Sequence, residues 1–101
     1  MTGRDQRGLQ KSLIDEEWSE FHEAYHMKDD VEQLKELADL VYVCYQFAAS
    51  QEWDLDEAMQ RVHESNMSKL DANGRPIYRP DGKVLKGPNY KEPYLLDLII
   101  E

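Results

Sequence analysis

The 101-residue sequence predicts an all-α fold, an antiparallel helical bundle completed by oligomerisation, with a short hairpin or loop-like C-terminal tail. Apolar residues recur at helical spacing in three successive segments, and capping signatures open the second and third of them. Turn dipeptides follow only after residue 70. We therefore expect one domain over residues 1–101, with helices at about 12–27, 31–50 and 54–70 and a tail at 71–95.

The predicted first helix follows a polar stretch with two glycines, which we expect to be a frayed lead-in, although the helical pattern could begin near Gln6. Five apolar residues of the helix share one arc at about 100° per residue: Leu13, Ile14, Phe21, Ala24 and Met27. Glu17 and Glu20 fall inside this arc. Because an unpaired carboxylate is costly to bury, we expect a cation beside them.

The second helix repeats this pattern after a capping signature formed by Asp30 and Gln33. Glu36 and Asp39 share an arc with apolar residues. The other side of the helix is also apolar, with Leu34, Leu37, Ala38, Val41, Tyr45 and Ala48. Since a helix that is apolar nearly all round is buried on two sides, we expect the second side to contact another subunit.

The third helix begins at a second capping signature, Asp54 with Glu57, and Asn66 projects from the middle of its apolar stripe. The tail then contains the turn sequences Asn73-Gly74 and Pro80-Asp81-Gly82. The short apolar pairs Ile77-Tyr78 and Val84-Leu85 lie around the second turn. A small hairpin or a wrapped loop fits this arrangement.

The charge of the chain is unevenly distributed. The net charge is -9, with 21 acidic and 12 basic residues, which argues against nucleic acid or an anionic membrane as the main partner. The segment from Lys69 to Lys91 nevertheless contains six basic and two acidic residues. An acidic body with a basic tail suits an anionic substrate that reaches the body through a divalent metal.

Cysteine usage and hydropathy indicate a cytoplasmic protein. Cys44 is the single cysteine, so the chain has no internal disulfide and fits a reducing compartment. The sequence has no apolar run of about 18 residues, and its N-terminus lacks the apolar stretch of a signal peptide.

The two acidic pairs predict a metal site. Two residues three positions apart on a helix point in the same direction, so Glu17 with Glu20 and Glu36 with Asp39 could form a four-carboxylate box between antiparallel helices. Oxygen ligands without a required cysteine or histidine select Mg²⁺, with Mn²⁺ as a substitute, rather than zinc. The simplest interpretation of either pair alone is a solvent-exposed helix face. Both pairs lie in apolar arcs on consecutive helices, and this position favours a metal site.

A competing motif lies at residues 22–26, where His22-Glu23-Ala24-Tyr25-His26 matches the HExxH pattern of zinc proteases. Both histidines fall on the solvent side of the first helix, roughly opposite the arc of Glu17 and Glu20. We therefore expect exposed histidines and not a protease site.

Four stretches together resemble a known family. They are Glu16-Glu17-x-x-Glu20, Glu36-x-x-Asp39, the third-helix sequence HESNMSKL and the tail sequence DGKVLKGPNY. In this order they resemble the MazG-like all-α nucleoside triphosphate pyrophosphohydrolases, in the phage and bacterial branch labelled phosphoribosyl-ATP pyrophosphohydrolase-like. The resemblance covers about Leu9 to Leu95.

The resemblance implies a homodimer or homotetramer, Mg²⁺ dependence and hydrolysis between the α and β phosphates of a nucleotide. By position it implies metal ligands at Glu17, Glu20, Glu36 and Asp39, and a water-orienting catalytic carboxylate at Glu16. Contacts to the nucleotide or its phosphates would come from Asn66, Lys69, Lys83, Lys86 and Tyr90, the last three from a tail that closes over the phosphates.

The expected function is thus cleavage of ribo- or deoxyribonucleoside triphosphates to monophosphate and pyrophosphate, as a house-cleaning enzyme of the nucleotide pool. Two alternatives stay open. One is a phosphoribosyl-ATP pyrophosphohydrolase of histidine synthesis, which applies the same site chemistry to a different nucleotide. The other is a non-catalytic helical interaction module whose acidic box binds metal structurally.

Overall fold

The computed structural model describes residues 3–99, with side chains from residue 7 onward. It contains three α-helices and one two-stranded antiparallel sheet, which confirms the all-α prediction. The elements are α1 (Gly3–His26), α2 (Asp30–Ser50), α3 (Leu55–Met67), β1 (Ile77–Tyr78) and β2 (Val84–Leu85), followed by a 3-10 turn at Leu96–Leu98. The chain divides into two compact units, which are Met1–Leu55 and Asp56–Glu101.

Helix α1 is longer than the sequence predicted. It begins at Gly3, so the expectation of a frayed lead-in before residue 12 was wrong. Arg, Gln and Lys favour helix even without apolar periodicity. A tertiary contact adds to this preference, because the Nε of Arg7 donates to Oε1 of Gln51 at 3.1 Å and the guanidinium carbon lies 5.7 Å from the ring centroid of Trp53.

A three-residue turn joins α1 to α2. Lys28 adopts a left-handed backbone with φ of 56°, which reverses the chain. The N-cap of α2 is Asp29, whose carboxylate accepts a hydrogen bond from the backbone N–H of Glu32 at 3.1 Å. The predicted cap at Asp30 was therefore one residue too late, because Asp29 with Glu32 fits the same capping pattern.

The two long helices of the first unit pack against each other along their length. Arg7 near the start of α1 reaches Gln51 after the end of α2, so the helices run antiparallel. Ala24 of α1 and Val43 and Ala48 of α2 are buried. Ala48 had been assigned to the second apolar side of α2, where Leu34, Leu37 and Val41 are exposed. That second side is thus accessible in the single chain.

The second unit contains most of α3 and the tail. Helix α3 ends at Met67, three residues before the predicted end. The chain tightens there, since the N–H of Lys69 donates to the carbonyl of Asn66 at 3.1 Å. Of the hairpin and the wrapped loop that the sequence left open, the structure shows the hairpin: Ile77 pairs with Leu85 and Tyr78 pairs with Val84.

Side-chain hydrogen bonds connect the C-terminal segment to α3 and to the turn that follows it. The hydroxyl of Ser65 donates to the carbonyl of Lys91 at 2.7 Å, and the hydroxyl of Ser68 accepts from the N–H of Lys91 at 2.9 Å. Arg61 donates to the carbonyl of Tyr94 at 2.9 Å and to the carboxylate of Asp97 at 2.6 Å. A cavity of about 500 Å³ lies along this segment.

None of the helices in the described part of the chain, residues 3–99, combines the length and the apolarity that crossing a membrane requires.

Candidate active site

Three carboxylates from two helices meet in the first unit. Glu17 and Glu20 lie one turn apart on α1, and Glu36 approaches from α2. One oxygen of each lies within 4.8 Å of the other two. We call Glu17, Glu20 and Glu36 the carboxylate cluster. It contains three of the four residues that the sequence predicted as metal ligands.

The cluster is partly removed from water. Glu36 is only 7% exposed, whereas Glu17 is half-buried and Glu20 is exposed. Within the described residues, neither Oε2 of Glu17 nor Oε2 of Glu36 has a hydrogen-bond partner. A buried acceptor without a partner costs free energy. These two oxygens therefore favour a cationic ligand.

The surroundings of Glu17 favour its protonated form. Burial raises its pKa from 4.5 to about 7, and a hydrogen bond with Glu20 and repulsion by Glu20, Asp39 and Glu36 add to the effect. Desolvation and like charges both disfavour a carboxylate anion. Without a cation, the cluster thus holds more negative charge than its surroundings compensate.

Asp39, the fourth predicted ligand, lies outside the three-oxygen cluster. Its Oδ2 is 3.1 Å from Nζ of Lys35, and the same ammonium is 3.2 Å from Oε1 of Glu36. Hydrogen bonds to both carboxylates raise the pKa of Lys35 above its usual value. The expected cation is therefore present in part, and it comes from α2.

Sequence reasoning missed Lys35, although its spacing carried a signal. It precedes Glu36 directly and stands four residues before Asp39, the spacing at which side chains on a helix meet. A groove beside the cluster contains further acidic residues that were not predicted. It has a volume of about 290 Å³, and Glu20, Glu23, Asp29, Glu32 and Glu36 are among its lining residues.

Glu16, the predicted catalytic carboxylate, is exposed on α1 and does not belong to the cluster. Glu16 lies about 100° from Glu17 around the helix but only about 40° from Glu20, four residues later, so it borders the cluster without belonging to it.

The predicted nucleotide contacts belong to the second unit. Asn66 is exposed near the end of α3, Lys69 is half-buried in the following turn, and Lys83 is exposed before β2. Lys86 and Tyr90 are brought together, with Nζ of Lys86 lying 4.8 Å from the centroid of the Tyr90 ring. This is a cation–π contact.

The HExxH residues lie where the sequence placed them. His22 and His26 are exposed on α1, and neither contributes to the carboxylate cluster. The HExxH motif and the cluster are therefore separate groups of side chains, although α1 carries the motif and two of the three cluster residues.

Comparison with known proteins identifies a family whose sequence pattern matches this chain. A family model described as phosphoribosyl-ATP pyrophosphohydrolase matches residues 2–66. No curated protein and no solved structure matches the chain. The matched region includes all of α1 and α2, and therefore the whole carboxylate cluster, and it ends before Lys69 and the basic tail.

The match confirms the resemblance to the MazG-like all-α superfamily that the motifs indicated. Because the family model covers more than half of the chain, the protein belongs to the phosphoribosyl-ATP pyrophosphohydrolase family, a family of divalent-metal-dependent enzymes, and is itself a hydrolase that acts on acid anhydrides.

Proposed function

We propose that this enzyme uses Mg²⁺ to hydrolyse ribo- or deoxyribonucleoside triphosphates between the α and β phosphates, releasing a monophosphate and pyrophosphate. The main support for this proposal is the carboxylate cluster. The carboxylate cluster places three acidic side chains together, and Oε2 of Glu17 and Oε2 of Glu36 are buried in it without a hydrogen-bond partner among the described residues.

The donor set fits Mg²⁺. All three members of the cluster offer carboxylate oxygens, the ligands that Mg²⁺ and Mn²⁺ prefer over softer metals. Glu17, Glu20 and Glu36 would hold the ion, and Asp39 would join them by exchanging its contact with Lys35. When bound, the ion supplies positive charge that offsets the negative charge on phosphoryl oxygens.

The remaining roles belong to side chains outside the cluster, on α1, on α3 and in the tail. Glu16 would accept a hydrogen bond from the water that attacks the α-phosphorus, since its carboxylate is accessible on the helix that carries Glu17 and Glu20. Lys83 and Lys86 would neutralise the departing pyrophosphate, with Lys86 positioned by Tyr90. Asn66 and Lys69 would contact the nucleotide.

A second substrate has equal support. The matching family model is described as phosphoribosyl-ATP pyrophosphohydrolase, so phosphoribosyl-ATP is the alternative nucleotide. Its hydrolysis breaks the same kind of phosphoanhydride bond and would use the same residues. A non-catalytic metal-binding module is not proposed further, because the family is one of enzymes.

We also propose that the enzyme acts as a homodimer or homotetramer, supported by the exposed apolar side of α2 with Leu34 and Val41. A cytoplasmic location stays a prediction, and it rests on the single cysteine.

The test is pyrophosphate release from a panel of nucleoside triphosphates and from phosphoribosyl-ATP, with Mg²⁺ and with chelator. We expect metal-dependent release, and the ranking of substrates decides between the two nucleotides. The variant E36Q should lose the activity, because it removes one ligand charge while it preserves the size of the side chain. Full activity of E36Q would contradict the role of Glu36, and silence on every nucleotide would contradict the proposed reaction.

A further inference from the structure

Two histidines on the exposed side of α1 form a close pair that the proposed reaction does not use. Nε2 of His22 lies 3.1 Å from Nε2 of His26, one helical turn later. The ring centroids are 4.4 Å apart and the ring planes meet at 74°. The two nitrogens face each other and can share a proton in the neutral pair.

We propose that His22 and His26 bind one divalent transition-metal ion of the Zn²⁺, Ni²⁺ or Cu²⁺ class through their two Nε2 atoms. The site goes beyond the proposed hydrolysis and does not depend on it. Glu17 and Glu20 point roughly in the opposite direction from α1, about 170° away at 100° per residue. The helix would thus carry an oxygen site on one face and a nitrogen site on the other.

The separation of the two nitrogens matches the bite of such an ion. Metal–imidazole bonds of about 2.0 to 2.1 Å place two ligand nitrogens about 2.9 Å apart at a right angle and about 3.3 Å apart at a tetrahedral angle. The observed separation of 3.1 Å lies between these values. Both rings are exposed, and each must turn so that its lone pair leaves the line between the two nitrogens and points at one ion, which then replaces the shared proton.

The donor atoms determine the class of metal. Neutral imidazole suits Zn²⁺, Ni²⁺ and Cu²⁺, whereas Mg²⁺ prefers oxygen. The spacing of four residues places the two rings on one helix face, as in helical two-histidine metal sites. Water would complete the coordination, and Glu23 needs no catalytic role here.

Charged groups of both signs lie beside His26. A groove beside His26 is lined by Lys28 and Asp30, together with Tyr25 and Gln33. The positive and negative side chains offset each other there. The net charge of -9 on the whole chain favours a cation at long range.

The experiment is calorimetric titration of the tag-free full-length protein with Ni²⁺, in excess Mg²⁺ to saturate oxygen ligands. We expect one Ni²⁺ per chain. Each of the variants H22Q and H26Q should weaken the affinity about tenfold or more, because one ring alone loses the benefit of chelation. In the wild type, ¹⁵N spectra should show both Nε2 resonances moving together on Zn²⁺ addition.

Two matched controls locate the ion. His63 is exposed on α3, so H63Q should leave Ni²⁺ binding unchanged. E36Q should also leave it unchanged, because the carboxylate cluster is not involved. The inference is overturned if the wild type binds no Ni²⁺, if H22Q and H26Q bind it like the wild type, or if E36Q loses it. None of these results would bear on pyrophosphate release, which tests the proposed function separately.

Discussion

Glu17 of α1 and Glu36 of α2 each bury an Oε2 atom that has no hydrogen-bond partner in the described part of the chain, and both residues belong to one cluster of carboxylate oxygens. Two acidic side chains therefore face each other across the interface of α1 and α2. Packing of α1 on α2 opposes this repulsion. The interface that stabilises the first unit is thus the same interface that concentrates negative charge for a cation.

The first prediction is that E36Q stabilises the metal-free protein and removes its response to metal. Loss of a buried charge should raise the free energy of unfolding in chelator by about 1 to 2 kcal/mol. Mg²⁺ and Mn²⁺ should then raise the melting temperature of the wild type but not of E36Q. Thermal melts with chelator and with each metal measure both effects.

A suitable control is E64Q, which removes the same charge from an exposed position on α3, where Glu64 is neither a member of the cluster nor a lining residue of the groove beside it. It should melt like the wild type in chelator and keep the metal-induced shift. An equal metal-induced shift in E36Q and wild type would rule out Glu36 as a ligand.

The second prediction concerns pH. The pKa of Glu17 is about 7 in the folded chain and 4.5 in its ordinary state. Between pH 4.5 and about pH 7, the carboxyl group of Glu17 thus keeps its proton in the folded protein and loses it in the unfolded chain. Unfolding is favoured as pH rises through this window. In chelator, the melting temperature should therefore fall from pH 5 to pH 7.5, and E17Q should flatten this fall. An equally steep fall in E17Q would assign the effect to other groups.

The third prediction is that Lys35 weakens metal binding. Its ammonium lies 3.1 Å from Asp39 and 3.2 Å from Glu36, so its charge repels a divalent cation at the cluster. The variant K35M should bind Mn²⁺ about fivefold more tightly at low ionic strength, with a smaller gain in high salt. Calorimetric titration measures the affinity directly.

Lys11 offers the matched control, because it pairs with Asp15 at 2.8 Å with the same spacing on α1 but on the solvent side. K11M should leave Mn²⁺ affinity unchanged. If K35M binds Mn²⁺ no better than K11M does, the ammonium of Lys35 has no influence on the cluster.

Local sequence patterns were sufficient for much of the fold and for most of the site. The turn sequence Pro80-Asp81-Gly82 between two apolar pairs predicted a hairpin or a wrapped loop, because such turns reverse the chain, and the structure shows the hairpin. The spacing of three residues placed Glu17 and Glu20 on one helix face, and the short connection after His26 made α2 its antiparallel neighbour. These are short-range properties that a sequence displays directly.

Contacts between distant residues were not predictable in this way. The start of α1 depends in part on Arg7 reaching Gln51, 44 positions later, and the tail depends on Ser65 reaching Lys91, 26 positions later. Hydrophobic periodicity does not encode either of these contacts.

The close approach of Gly87 to the turn that follows α3 is another such contact, and it gives the fourth prediction. A Cβ atom at Gly87 would lie 2.3 Å from the carbonyl oxygen of Lys69 and 2.8 Å from that of Leu70. Backbone oxygens cannot rotate away, so G87A should lower the free energy of unfolding by about 2 kcal/mol.

Gly8 is the matched control, because nothing lies within 4 Å of a Cβ there and it is inside α1. G8A should therefore stabilise the protein by about 0.5 to 1 kcal/mol. Urea titration measures both variants, and equal midpoints for G87A and wild type would show that the tail does not require glycine at this position.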